Sequence, residues 1–551
     1  MIARLRSYLP ALALALVLTL AWTGRDWPAL AALSLPDTDD VMRLQQVRDW
    51  IAGQPFGDLH QYRLSDGLLM HWSRIGDLVP AAIIVALRPL IGVHAAEVTA
   101  VIAWPALQFA LHLMLVAGIA RRLVPSAAGP AVVLAALAYP VTTLFMPGRI
   151  DHHGLQIILC LVQVRALIGP ADARSGAIAA LAATISAAIG LETAPFAVVA
   201  GVVIVLAWWR GAAGADRRQI GFGAALLVAI PLLLPIAGSG GACDTMRPLA
   251  LPAAIAAATL VITAALGRPR WWLLVIGAGL GLCALFATGR ACLAGPYGAV
   301  DPLMARLWLA HVEEAQPLFA APWPNAVGYA GLLIVGIVAG GWLAWRRRGG
   351  WIVVLAFQLA SLALTCAQLR GAYVGAALAV VPIAALIVRA RAAGRIAGVL
   401  ALWLAGAGLL YPAIAGALSP RAPAATAACP TAPLLATLRA LPPGRVMAPI
   451  DMGAFIVAGT RHTAIAAPYH RNNAGNAAMY RFFLGAPDAA EAIARRRRID
   501  HVVLCPDAFA ETGPVRADSL AGGARPAWLV PDGGSAIFAV RQRLSDRPGS
   551  R

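Results

Sequence analysis

LPDTDDVMRLQQVRDWIAGQPFGDLHQYRLSDGLLMHWSRIGD, residues Leu35 to Asp77, is a polar stretch set just after the first apolar run of a chain that is otherwise overwhelmingly apolar. Asp37, Asp39 and Asp40 fall within four residues of one another. Carboxylates this close repel unless a cation or a basic partner sits among them, so the stretch reads as a divalent-metal or acid/base site. The alternative is a solvated loop with an Asx-type helix cap ahead of Met42. The functional reading gains weight from further polar stretches downstream, each in a loop expected to open on the same side of a membrane.

Of the 551 residues 60% are hydrophobic and 13% charged, with a mean hydropathy of +0.74, a composition that excludes a soluble domain. Apolar runs long enough to cross a hydrocarbon core as helices recur along the first three quarters of the chain. Candidate spans are residues 8–22, 97–120, 127–145, 154–169, 175–189, 192–209, 220–236, 248–266, 271–288, 325–345, 351–367, 370–388 and 395–414, about thirteen in all. The formal charge is +18, but the chain contains no Lys and its Arg clusters fall between apolar runs, so positive-inside topology explains the charge better than nucleic-acid binding does. Arg4 with Arg6, Arg121 with Arg122, Arg174, Arg210 with Arg217 and Arg218, Arg268 with Arg270, Arg346 to Arg348, and Arg389 with Arg391 and Arg395 fall on alternate connections. Those connections are expected on the cytoplasmic side, and the loops carrying the acidic stretches on the exterior side. The run Leu78 to Val93 would invert this order if it crossed, and reads instead as interfacial or re-entrant. The basic start with its short apolar core resembles a signal peptide, but without a convincing cleavage site it reads as an uncleaved span.

Beyond about Ser419 the character changes to Pro-rich punctuation and then to shorter mixed elements. Helices are expected at 431–441 and 488–498, and strands at 445–450, 463–467 and 501–505. The fold class is therefore a polytopic α-helical membrane protein, residues 1–418, followed by an α/β domain outside the membrane, residues 419–551. Cys160, Cys283 and Cys366 fall inside spans. Cys243 and Cys292 lie in exterior loops and Cys429 and Cys505 in the exterior domain, a distribution that suggests two disulfides in an oxidising compartment, with unpaired thiols as the alternative.

Four more stretches carry candidate chemistry. In Pro147 to Gln156, PGRIDHHGLQ, Asp151 and His153 can reach one ion beside Arg149; a carboxylate with an imidazole suits Mn or Zn, and Mg remains open, while a polar turn with Asp151 as helix cap is the plain alternative. In Asp301 to Pro317, DPLMARLWLAHVEEAQP, a buried Glu313 or Glu314 must be paired, protonated or metal-bound, unless the segment is an interfacial helix with snorkelling charges. Arg370 stands at the exterior end of a span, against the positive-inside pattern, and is a candidate for holding a phosphate; an Arg reaching lipid headgroups is the ordinary alternative. In Ala448 to Asn476, Asp451 follows one expected strand, and Tyr469, His470, Arg471, Asn472 and Asn473 follow the next, where α/β domains place binding groups; domain packing accounts for them almost as well.

Taken in order, these stretches resemble the catalytic subunit of oligosaccharyltransferase, a GT-C-fold membrane glycosyltransferase. Asp39 precedes Arg48 and Asp49 at the family's spacing of a catalytic Asp before an Arg-Asp pair; Asp151 and His153 match its second-loop Asp-x-Glu/Asp; Glu314 within VEEAQP takes the place of a later-loop Glu; Arg370 takes that of an Arg binding the lipid diphosphate; and Ile450 to Gly453 with His470 to Asn473 stand where the soluble domain carries WWDYG and an Asn-rich turn. The resemblance implies transfer of a sugar or oligosaccharide from a polyprenyl phosphate or diphosphate to a periplasmic acceptor, which could be a polysaccharide, a lipid or a protein, in a bacterial inner membrane. It implies a divalent metal, Mn or Mg, on Asp39, Asp151 and His153; catalytic roles for Asp39, Asp151 and Glu314; and substrate contacts from Arg370, Arg149, Asp451 and His470. Two departures matter: His153 replaces a carboxylate, and Pro449 and Ile450 replace the Trp pair that helps read an N-x-S/T acceptor, so transfer to that sequon is not implied. A lipid-linked glycan flippase and a true protein N-oligosaccharyltransferase are the competing readings.

Overall fold

The computed structural model describes residues 7–238, 242–295, 297–419, 429, 431–505, 508–534 and 536–541. Arg4, Arg6 and most of the Pro-rich stretch after Ser419 lie outside these residues. Eight helices among them are long and apolar enough to cross a membrane: Leu9–Ala31, Val93–Leu123, Leu191–Trp209, Arg247–Leu266, Trp272–Ala294, Trp323–Arg347, Gly350–Ala367 and Leu369–Ala392. A ninth candidate is the pair Ile396–Gly406 and Leu410–Leu418, bent by 76° at its break. Three apolar helices are shorter, Pro125–Ala136, His153–Leu167 and Ala173–Ile189, and Ala215–Leu233 opens with Asp216, Arg217 and Arg218 at its basic end.

Two runs expected as single spans are broken. The apolar run 127–145 stops being helical at Leu137, ahead of Pro140, because a proline removes a backbone donor and disfavours helical geometry in the residue before it. The run 395–414 breaks at Gly406 to Gly408, and the two breaks meet. Leu409 N donates to Leu137 O at 2.9 Å, and a Cβ on Gly408 would come within 2.6 Å of Tyr139 N, so only glycine allows this approach. Irregular backbone is tolerated at this depth because its polar groups are satisfied within the protein.

Ala372–Ala392 is the spine of the bundle, buried along most of its length by small residues that let neighbours close in. Gly375 packs on Ser361 and Leu333, and Gly336 of Trp323–Arg347 packs on Ala379. The Arg-rich connections share one end of the bundle. Arg122 donates to Ile168 O at 3.0 Å, Arg218 reaches the carbonyls of Leu167, Gly169 and Pro170, Gly350 packs on Leu123 and Ile168, and Gly211 packs on Arg268. The acidic loops gather at the other end.

There the first loop forms the helix Thr38–Ile51, a short hairpin of β1, His60–Gln61, and β2, Leu68–Leu69, and the helix Leu78–Ile91. With 14 residues this last helix is about 21 Å long, short of the roughly 30 Å hydrocarbon core, and it lies against Val93–Leu123 after a turn at Gly92, whose φ of 82° suits glycine.

The C-terminal α/β domain holds strands β3, Arg445–Met447, β4, Thr463–Ala464, β5, His501–Val503, β6, Leu529–Pro531, and β7, Ile537–Val540, in the order β4-β3-β5-β7-β6. The first three run parallel and β7 pairs antiparallel with both β5 and β6. The first acidic loop covers the β4 edge: Ser65 N donates to Ala464 O at 2.7 Å and Ala464 N to Arg63 O at 3.0 Å. This both blunts an open edge and fixes the domain over the loop that carries Asp39. The helices Thr38–Ile51 and Met452–Gly459 pack on each other beneath it.

Candidate active site

The three aspartates of the first loop do three different things. Asp37 caps the helix Thr38–Ile51, accepting from Asp39 N at 3.1 Å, so the Asx-type cap is present. Asp40 is fully buried and accepts from Ile150 N at 2.7 Å and Asp151 N at 2.8 Å, thereby fastening the second loop to the first. Arg149 closes the join, donating to Asp37 Oδ2 at 2.8 Å and lying 3.0 Å from Asp40 Oδ2. Asp39 is left half-buried on the wall of a cavity of about 800 Å³. Burial, then the charges of Asp151, Asp37 and Glu314, hold its carboxyl well above the usual range.

Asp151 caps no helix. The following helix starts at His153, and the Asp151 carboxylate bonds both imidazoles, His152 Nδ1 at 2.5 Å and His153 Nδ1. One ligand atom from each of Asp151, His152 and His153 falls within 4.8 Å of the others. Burial works against an ionised Asp151, but the two rings outweigh it and hold its carboxyl well below the usual range, while Asp151, against burial, pushes His152 up to about 10. A carboxylate and two imidazoles are an established ligand set for Mn or Zn, and a divalent cation among them would take the place of the protons that otherwise offset Asp151. The residues present therefore fit a metal. Behind them, Arg43 donates to Asp77 at 2.9 Å and lies 3.0 Å from His152 Nδ1, with its guanidinium 4.6 Å from the Trp72 ring centroid. His152 Nε2 lies 3.5 Å from Glu192. Asp39 stands outside the three-residue group, and His152, which sequence reading left without a role, stands inside it.

Arg370 is the middle residue of the turn Leu369–Gly371 that opens the helix Ala372–Ala392. Its Nη1 lies 3.4 Å from Glu314 Oε1, and its Nη2 donates to the Tyr297 hydroxyl. Glu314 also accepts from the Tyr373 hydroxyl at 2.9 Å; against the effect of burial, Arg370 and these partners keep its carboxyl below the usual range. Glu314 lies in a single 3-10 turn, Glu313–Ala315, so no interfacial helix forms there.

Two cavities meet at Tyr373. The larger is lined by Asp37, Asp39, Arg149, Glu314, Ile450 and Asp451 among others. The smaller, about 240 Å³, is lined by His153, Gln156, Glu192, Arg370 and Gly371 with apolar residues between them, including Phe196, Leu364 and Val374. The structure thus brings Asp39, Arg149, Glu314 and Asp451 to the larger space and His153 and Arg370 to the smaller, with Asp151 behind them, bonded to His153. His470 lines neither; it bonds Asp244 Oδ2 at 2.7 Å. Arg48 makes a two-pronged ion pair with Glu97 at 2.7 and 2.8 Å, and Asp49 accepts from Gln45 and Gln61, so that pair serves the packing of the loop. Cys243 is bonded to Cys292 and Cys429 to Cys505, with Cα–Cα distances of 4.9 and 5.3 Å.

The sequence marks neither Tyr373 nor Tyr297, and it marks Asp40 only as one of the acidic cluster, not as the group that fastens the second loop. Tyr373 follows Arg370 by one helical turn, which is a usable signal; Tyr297 and Asp40 depend on contacts between distant segments.

No protein-family model and no curated protein matches this chain. Solved structures do. It is similar to the archaeal oligosaccharyltransferase AglB from Archaeoglobus fulgidus in complex with an inhibitory peptide and a dolichol-phosphate, at 15% identity over 98% of this chain and 75% of that one, with a TM-score of 0.66. The Archaeoglobus fulgidus oligosaccharyltransferase tethered with an acceptor peptide containing the NVT sequon gives 15% identity, 98% and 74% coverage and a TM-score of 0.61. The complex of that enzyme with Zn and sulfate gives 14%, 85% and 64%, and 0.56. The chain is a multi-pass membrane protein with the GT-C fold that these oligosaccharyltransferase structures share.

Proposed function

We propose that the protein transfers a sugar or oligosaccharide from a polyprenyl-phosphate or -diphosphate donor to an acceptor on the exterior side of the membrane, which in a bacterium is the periplasm. The observation that carries this reading is the meeting of the two cavities at Tyr373, with Arg370 and His153 on the smaller and Asp39 and Glu314 on the larger. Two helix N-termini, those of Ala372–Ala392 and His153–Leu167, converge on the smaller cavity, and helix N-termini favour a phosphate, here beside a buried guanidinium. The apolar residues between the polar groups suit the first isoprene units.

In the reaction the bond between the anomeric carbon and the donor phosphate oxygen breaks, the electron pair leaving with the oxygen, and a bond forms from the acceptor atom to that carbon. Arg370 holds the departing phosphate and stabilises its growing charge. Asp39 takes the acceptor proton, Glu314 orients the acceptor through the same wall, and Asp151, His152 and His153 would hold a divalent cation. Bound there, a divalent metal supplies Lewis-acid stabilisation of phosphate charge, and the two imidazoles suit Mn or Zn better than Mg. Arg149, Asp37 and Asp40 keep the two loops in register. The ionisable cluster lies at the helix ends, which suits an enzyme better than a transporter, whose sites lie near the bilayer midplane.

On the acceptor side, Ile450 and Asp451 line the larger cavity where the resemblance places the Trp pair and its Asp. Neither Pro449 nor Ile450 supplies an indole wall or N–H donor, and a site that does not bond a hydroxyl gives up most of its discrimination for it. The expected result is that purified protein with a lipid-linked donor cleaves that donor yet leaves an N-x-T peptide unglycosylated, as read by mass spectrometry. Efficient peptide glycosylation that is lost on changing the Thr to Ala would overturn this account of the acceptor.

A further inference from the structure

The turn from His470 to Asn473 follows β4, where a binding group was expected, yet it lines neither cavity. What it touches is the loop that carries Tyr297. Asn473 Nδ2 donates to Ala299 O at 2.7 Å, and its Oδ1 accepts from Asp301 N at 3.0 Å, so one amide grips this loop at two points. The His470 ring stands edge-on to the Tyr297 ring, centroids 5.4 Å apart. From the other side, Asp244 is held by His470 Nε2 at 2.7 Å and Arg471 Nε at 2.8 Å. Asp244 follows Cys243, which is bonded to Cys292, so the disulfide and the ion pairs fix the start of the same loop.

Tyr297 in turn touches Arg370. Its hydroxyl accepts from Arg370 Nη2, and its ring centroid lies 5.8 Å from the guanidinium carbon. With Glu314 on the other side, the guanidinium is held in one plane, while Arg370 Nε, buried, has no partner in the protein and remains a donor for a ligand. A neutral phenol restrains the guanidinium without cancelling its charge, which a second carboxylate would do.

We infer that the His470–Asn473 turn of the α/β domain acts on the donor phosphate at one remove, by holding the Tyr297 loop so that Tyr297 orients Arg370. Tyr297 and Asn473 are positioning residues for donor binding, and the inference rests on the reading of Arg370 as the phosphate ligand. An Arg is otherwise mobile on its stem, and a fixed plane is what bidentate phosphate contact requires. The α/β domain, which covers the acceptor cavity, is thereby tied to the donor site.

The test uses the full-length protein in nanodiscs and two probes, farnesyl phosphate and farnesol, which differ only in the phosphate. Tyr297→Phe, which keeps the ring, and Asn473→Ala are each expected to weaken farnesyl phosphate about fivefold to tenfold, the scale of one hydrogen bond, and to leave farnesol unchanged. Arg370→Ala is expected to abolish the preference for phosphate. Wild-type affinity for farnesyl phosphate in Tyr297→Phe and Asn473→Ala, with the preference lost in Arg370→Ala, would overturn the inference and leave the Arg370 reading standing. Equal weakening of both probes in Tyr297→Phe would also overturn it, since that marks a distorted pocket. An intact phosphate preference in Arg370→Ala would remove the reading on which the inference rests, and the inference with it.

Discussion

Asp151→Ala is expected to lose both metal uptake and glycosyl transfer. Asp151 is the one carboxylate of the group, and it bonds both imidazoles, so its removal takes a ligand and the partner that orients the other two. Charge stabilisation of several kcal/mol then disappears from the step that releases the phosphate, which corresponds to a fall in turnover of about 1000-fold or more. The loops should survive, because the second loop is fastened through the backbone N–H of residue 151, which alanine keeps, to Asp40. Elemental analysis of purified variant and wild type, beside their transfer rates, reads the result. Normal metal content with normal turnover would remove Asp151 from the site.

Asp39→Asn should separate the two halves of the chemistry. Asn is the same size and stays in the same wall, but it cannot take a proton, and acid–base groups of this kind contribute about 100- to 10,000-fold. Turnover should fall by that factor while metal content stays within a few-fold of wild type, because Asp39 lies outside the group of Asp151, His152 and His153. The neighbouring Asp37→Asn is the control. Asn caps a helix as well as Asp does, so this variant loses only the part-exposed ion pair with Arg149 and should cost about 1 kcal/mol of stability or less and little turnover. Unchanged turnover in Asp39→Asn, measured with saturating acceptor, would assign acceptor activation elsewhere.

The loops that hold the site were legible because charge is so rare in this chain that each acidic cluster stands out against apolar runs. Asp39, Asp151, Glu314 and Arg370, more than three hundred residues apart at the extremes, lie near one another at one end of the bundle. What sequence did not give was the division of labour inside a cluster. Asp37, Asp39 and Asp40 look alike in a row, and only contacts with residues 149–151 separate cap, cavity wall and loop fastener. Arg149 reads as a substrate contact, and it lines the larger cavity while also pairing with Asp37 and Asp40, a structural role that only the contact between the two loops reveals. The same holds for the helices: periodicity marks apolar runs but not where Pro140 and Gly408 break them, since the breaks are stabilised by each other. In the α/β domain the hairpin Leu529–Pro531 with Ile537–Val540 was missed although Asp532, Gly533 and Gly534 are turn residues between two apolar runs. The helix Met452–Gly459 was missed because its eight residues are bounded by no cap and contain two glycines.

Cleavage of a lipid-linked sugar at a metal-bearing site on the exterior face, as proposed, makes the reaction sensitive to chelation from that side alone. The measurement uses sealed right-side-out membrane vesicles carrying the protein and a polyprenyl-linked sugar donor, with release of the polyprenyl phosphate followed by chromatography. Release is expected to stop when membrane-impermeant EDTA is added outside and to return with excess Mn. Absence of release, or release indifferent to external EDTA, would contradict the proposal.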